Sequence, residues 1–170
     1  MEQALDVVRE TDYKFGVSNA FNNLGMIYCN IGKYYKSIEY YQQALDTKKM
    51  IHDDNGVAKV LSNLGNVHWY LANYHKSIEY YQESINLKRN IGNKYWVSGL
   101  VNLGCVYSCL GEYQKAIDYC KKALRVLDEI GDESDKSSAF ENLGIIDNEL
   151  GNHQKAIEYF NRALQIKLGR

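Results

Sequence analysis

Cysteine and histidine are the side chains of this chain best suited to ligating a metal or attacking a substrate, so their spacing is tested first. The cysteines are Cys29, Cys105, Cys109 and Cys120, and the histidines are His52, His68, His75 and His153. No C-x-x-C pair is present, and only Cys105 and Cys109 fall within one predicted helix. Structural zinc needs four ligands brought together, usually as closely spaced pairs. The cysteines instead sit in apolar helical stretches, where a thiol in a reducing compartment serves as a small packing group. The histidines are scattered, with no H-E-x-x-H, no G-x-S-x-G and no phosphate loop around them. These residues predict no catalysis, no metal and no cofactor. Asparagine offers a different chemistry. Asn23, Asn63, Asn102 and Asn142 each precede Leu-Gly. Asparagine costs a helix interior up to about 0.7 kcal/mol relative to alanine. Its amide carries both a donor and an acceptor, the complement of one peptide unit of an extended chain.

The elements that would position these amides follow from the same recurrence. Asn-Leu-Gly returns at spacings of 40, 39 and 40 residues. Thirteen residues beyond each Leu stands a small residue (Ser37, Ser77, Ala116, Ala156), followed by Ile. Tyr41, Tyr81, Cys120 and Phe160 keep the register, as do Ala44, Ser84, Ala123 and Ala163, then Leu45, Ile85, Leu124 and Leu164. Self-similarity on this scale marks a repeat architecture. In each unit Phe21, Leu24, Gly25 and Tyr28, or their counterparts, recur at i, i+3, i+4 and i+7, the face of a first helix. Gly32, Gly111 and Gly151 then stand where a left-handed helix cap favours glycine. In the second unit Ala72 occupies that place, and Asn73 is expected to supply the left-handed residue. A second helix follows, with Ile38, Tyr41 and Leu45 on one face. Proline is absent from the chain, which suits uninterrupted helices. Small residues such as Gly25, Gly104 and Ala44 predict close helix approaches.

These motifs resemble the tetratricopeptide-repeat family, with its W-x2-L-G-x2-Y, A-x3-F and A pattern. The tryptophan position holds Phe21, Leu61, Leu100 and Phe140; the Tyr position holds Tyr28, His68, Tyr107 and Asp147. Asp147 departs from the pattern, because a carboxylate resists burial. The long period resembles that of Pins-type spindle-orientation adaptors and of bacterial regulators built from these repeats. The resemblance implies an all-α fold, a right-handed α-solenoid (superhelix) of helix-turn-helix repeats, as a single domain over 1–170. It divides into a half-repeat 1–14, in which Gln3-Ala4-Leu5-Asp6 matches Gln43-Ala44-Leu45-Asp46, and repeats at about 15–54, 55–93, 94–133 and 134–170. Nine helices are expected.

The resemblance further implies that the first helices line a concave groove and that the function is a scaffold binding an extended peptide of another protein. Helical stepping places Asn22, Asn23 and Met26, then Lys59, Asn63, Asn66, Trp69 and Tyr70, then Asn102, and finally Glu141, Asn142 and Glu149 on that groove. The four Asn-Leu-Gly amides form a ladder for the peptide backbone. The alternative for each is a bond to a neighbouring helix or loop. Trp69 and Tyr70 are aromatic anchors for a partner side chain, or else pack on the adjacent helix. Glu141 and Glu149 suit a basic ligand residue, or else form an ordinary solvated pair. Chaperone-binding relatives clamp a terminal carboxylate with Lys, Asn and Arg; here only Asn63 fits that set. Lys36/Glu39, Lys76/Glu79, Lys115/Asp118 and Lys155/Glu158 read as i, i+3 pairs on the outer surface.

Bulk composition narrows the partners. With a formal net charge of −1, 45% hydrophobic and 24% charged residues, nothing favours nucleic acid or an acidic membrane. No run of eighteen apolar residues and no signal-peptide pattern occurs, so a cytoplasmic protein without a membrane span is expected. Ala4 and Leu5 open the chain inside a second helix, and Ile166 lies near its end without a polar cap. The expectation is a piece of a longer array, with self-association through uncapped ends as the alternative function.

Overall fold

In the computed structural model the backbone is described from residue 2 to residue 169 and side chains from residue 9 onward. Eight helices follow one another: α1 (Glu2–Asn30), α2 (Tyr34–Met50), α3 (Asp54–Tyr70), α4 (Tyr74–Asn90), α5 (Trp96–Cys109), α6 (Tyr113–Ile130), α7 (Lys136–Glu149) and α8 (His153–Lys167). No strand occurs among the described residues. The expected count of nine is corrected to eight, because residues 2–14 are not a separate helix. They form the opening turns of α1, a single helix of 29 residues. The side chains of Ala4 and Leu5 lie outside the described residues.

The helices pair as sequential hairpins, α1 with α2, α3 with α4, α5 with α6 and α7 with α8. They gather into two compact units, Met1–Asn93 and Lys94–Arg170, divided between the second and third repeats. In the first unit Tyr41, Ala44 and Leu45 of α2 pack on Val57, Val60, Leu61, Leu64 and Val67 of α3. In the second, Cys120, Ala123 and Leu127 of α6 and Ala139, Leu143 and Ile146 of α7 are fully buried.

Close approach within a hairpin depends on the glycine of Asn-Leu-Gly. A Cβ built on Gly104 would stand 2.5 Å from the Cys120 sulfur and 3.3 Å from the Ala116 carbonyl oxygen. On Gly25 it would meet the Tyr41 ring at 2.6 Å. Serine tightens the first two hairpins further: the buried hydroxyls of Ser37 and Ser77 donate to the carbonyls of Gly25 (2.7 Å) and Gly65 (2.8 Å).

The turns within hairpins close by paired backbone bonds. Gly32 N–H donates to Cys29 O and Lys33 N–H to Tyr28 O, with Gly32 at φ 73°. The second repeat makes the same two bonds, from Ala72 to Trp69 and from Asn73 to His68. There Ala72 itself takes φ 56° while Asn73 stays at φ −81°, which corrects the assignment of the left-handed residue to Asn73. The closing bonds fix which position turns, and they offset the roughly 1–2 kcal/mol that the left-handed region costs a residue with a Cβ.

Between α2 and α3 the joint is ionic. Lys48 is buried, with Nζ 2.9 Å from Asp53 Oδ2, 2.9 Å from Asn19 Oδ1, and 5.0 Å from the centre of the Phe15 ring. Asp53 also caps α3 by accepting from Gly56 N–H at 2.8 Å. Burial pushes the Asp53 carboxyl up, but the bonds from Lys48 and Gly56 win and hold it below the usual carboxylate value.

Candidate functional site

The first helices carry every residue assigned to the groove, and the structure sorts them by what they touch. On α1, Asn22 is buried whereas Asn23 and Met26 are exposed. On α3, Lys59 is exposed, and Asn63, Asn66 and Trp69 are half-buried. The Asn63 amide donates to Asn22 Oδ1 at 3.0 Å, tying α3 to α1. Asn66 accepts from the Tyr81 hydroxyl of α4. Tyr70 is 54% exposed and stacks flat on Tyr34 at 5.5 Å. Trp69 meets Tyr70 edge-on at 5.0 Å. Three rings from two helices therefore form one ordered aromatic cluster with Tyr70 at its outer edge.

In the second unit, Asn102 on α5 is half-buried. Asn142 on α7 donates to the Val101 carbonyl of α5 at 3.1 Å. Two of the four ladder amides, Asn63 and Asn142, thus donate to the preceding first helix of their own unit. Their oxygens, and the amides of Asn23 and Asn102, are not used in those bonds. Glu141 is paired with Lys167 of α8, so Glu149, which is exposed, carries the acidic character of this face.

A recurring lysine was missed by reasoning from sequence. Lys48 sits in register with Lys88 and Lys167, and each reaches back to a first helix: Lys48 to Asn19, Lys88 to Ser62 at 3.1 Å, and Lys167 to Glu141. Its recurrence was the available signal. Buried Leu127 replaces it in the third repeat.

The outer lysines also differ from expectation. Lys36 lies over the Tyr28 ring at 5.5 Å, and Lys115 lies over Tyr107 at 5.3 Å and pairs with Glu112. Lys155 pairs with Asp147 at 3.1 Å. Each turns toward the Tyr position of its first helix, away from the expected partners Glu39, Asp118 and Glu158. At that position Tyr28, His68 and Tyr107 stack on Tyr40, Tyr80 and Tyr119, with ring centres 5.2–5.3 Å apart. Asp147 is nonetheless buried, satisfied by Lys155 and by Asn152 at 3.0 Å.

Nucleophilic chemistry finds little support in this environment. Burial raises the Cys105 thiol to about 11, with the adjoining Cys109 thiol adding to the effect. Burial raises Cys120 to about 12. Both are therefore thiols near neutral pH, the unreactive form. His68 is held below its ordinary value by burial and then by the facing charge of Lys76, and its Nδ1 has no partner among the described residues. Among the described residues no helix is long and apolar enough to cross a membrane.

Comparison with known proteins agrees with this geometry. A model of the tetratricopeptide repeat matches residues 16–90 and 97–168. No curated protein sequence matches the chain. Among solved structures, BtubC (BKLC) from P. vanneervenii superposes with a TM-score of 0.76 at 24% identity, over 89% of this chain and 63% of that one. Aspartyl phosphate phosphatase F from Bacillus subtilis gives a TM-score of 0.81 at 21% identity, over 89% of this chain and 40% of its own. The apo form of RapI gives 0.78 at 18% identity, over 89% and 56%. The chain thus spans about two fifths to two thirds of the length of these structures, and the likeness is one of fold. With hairpins, close-packed glycines and family model in agreement over almost all of its length, the chain belongs to the tetratricopeptide-repeat family, an all-α helical solenoid.

Proposed function

We propose that this chain is a protein-interaction module that holds an extended segment of another protein against its first helices. The observation that carries the reading is the aromatic cluster of half-buried Trp69 and Tyr34 with exposed Tyr70, beside the half-buried amides of Asn63 and Asn66. Ordered aromatic side chains at a surface anchor partner side chains at low entropic cost. Amides next to them supply donors and acceptors for a peptide backbone. Membership of the family supports a binding role over catalysis, and the raised thiols add nothing to an enzymatic case.

The test separates holding from folding. Asn63→Ala removes the bond to Asn22 and is expected to cost stability, about 0.5–1.5 kcal/mol. Asn102→Ala and Tyr70→Ala remove no bond of that kind and should leave the melting midpoint close to the parent's. A partner captured with the parent chain should bind each of these two variants several-fold more weakly by titration calorimetry. Unchanged affinity in both would overturn the reading.

A further inference from the structure

Cys105 and Cys109 stand one turn apart on α5, and their thiols adjoin. Cys105 is half-buried, and Cys109, the last residue of the helix, is exposed. The remaining cysteines form no such pair: Cys29 belongs to the first unit, and Cys120 is fully buried. The peptide reading above uses neither thiol.

Distance decides what two thiols on one helical turn can do. Residues i and i+4 hold their Cβ atoms about 5–6 Å apart. A disulfide needs about 3.5–4.5 Å between Cβ atoms and an S–S bond of about 2.05 Å. Closing one here would distort α5, which runs as a continuous helix from Trp96 to Cys109. A metal ion between the sulfurs spans a wider gap, because two metal–sulfur bonds of about 2.3 Å each replace one S–S bond.

The donor set then selects the ion. Thiolates are soft ligands and favour copper(I). Structural zinc asks for four ligands. No group of three His, Cys, Asp or Glu able to hold a metal occurs among the described residues. Copper(I), with its filled d shell, accepts two sulfurs in a line. The last turn of a helix also favours a cation, because its carbonyl oxygens carry the negative end of the dipole.

We propose that Cys105 and Cys109 form a two-coordinate site for a soft monovalent cation, copper(I). Binding exchanges protons for metal: two thiols and one copper(I) give one bis-thiolate copper ion and two released protons, with no change of oxidation state. Burial opposes the bare thiolate of Cys105, which keeps the metal-free pair protonated and inert. A bound cation offsets the charge that burial opposes.

Competition with a chromophoric copper(I) chelator, under anaerobic and reducing conditions, tests the site. The parent should draw one copper(I) per chain from the chelator. Cys105→Ser and Cys109→Ser should each weaken binding by more than about 100-fold, beyond what an outer partner of a metal site contributes. Cys29→Ser should match the parent, and zinc(II) at equal concentration should leave copper occupancy unchanged. X-ray absorption of the copper complex should show two sulfur neighbours. Circular dichroism checks the helices, and exposed Cys109 is the variant least able to disturb them. A parent that takes no copper overturns the inference, as does Cys109→Ser holding copper as tightly as the parent. An equal loss in Cys29→Ser also overturns it, because copper shared among scattered thiols is an adventitious ion only.

Discussion

Lys155 holds its Nζ 3.1 Å from the carboxylate of Asp147, a residue only 2% exposed. The corresponding places on α1, α3 and α5 carry rings stacked on a tyrosine of the second helix. In the last hairpin the tyrosine at that place, Tyr159, stacks instead on Phe140 at 6.0 Å. A buried carboxylate is tolerated because a cation and an amide reach it.

Lys155→Met should therefore be destabilising although Lys155 is itself largely exposed. It strips the charged partner from a buried acid, a loss of about 1–3 kcal/mol. Asp147→Tyr should reverse the penalty in the double variant, since a ring there no longer needs a cation. Thermal denaturation of the two single variants and the double one measures this. Additive losses would show that the pair is not coupled.

Gly104 is expected to tolerate no Cβ. Gly104→Ala would force the Cys120 sulfur, 2.5 Å from the new atom, out of a buried position. Gly104→Leu overpacks the site further and should cost about 1–3 kcal/mol. Adding Cys120→Ala to Gly104→Ala should recover part of the loss, because the clashing atom is gone while the Ala116 carbonyl still limits the fit. An alanine variant that melts with the parent would mean that α5 and α6 are further apart.

His68 should make stability depend on pH. Burial and Lys76 lower its pKa below the unfolded value of 6.5, so the folded state refuses a proton that the unfolded chain accepts. The neutral histidine's contribution is complete above that value. It is lost as pH falls from there toward the folded pKa, by up to about 1.4 kcal/mol per pH unit for one proton. Denaturant midpoints at about pH 7.5 and about pH 5.5 should differ less for His68→Tyr than for the parent. Tyrosine stands at this place in the first and third repeats. Equal slopes for both proteins would remove His68 from the account.

The hairpins, their register and the glycine contacts were legible because each position recurs four times and small residues have a steric meaning. Other features depended on partners that no repeat pattern names. Asp12, in register with the left-handed His52, Gly92 and Gly131, stays within α1, and residue type could not decide this, since His52 turns without being glycine. Ala72 takes a conformation that its side chain disfavours because two backbone bonds converge there. The asparagines show the same limit. Helical geometry put Asn63 and Asn142 on the first-helix face, but whether an amide bonds outward or to the next helix depends on what lies across from it: Asn22 in one case and the Val101 carbonyl in the other.

The third residue of every second helix is a lysine, and it faces a tyrosine, a histidine, a tyrosine and an aspartate in turn. Its long, flexible stem lets one ammonium serve as π-face partner, as repelling neighbour or as counter-ion without altering the backbone around it. A hairpin's character at this corner is then set by a single side chain, the one opposite the lysine. Repeats that share the frame can drift apart there one substitution at a time, each hairpin changing its charge and packing at the corner while the scaffold stays the same.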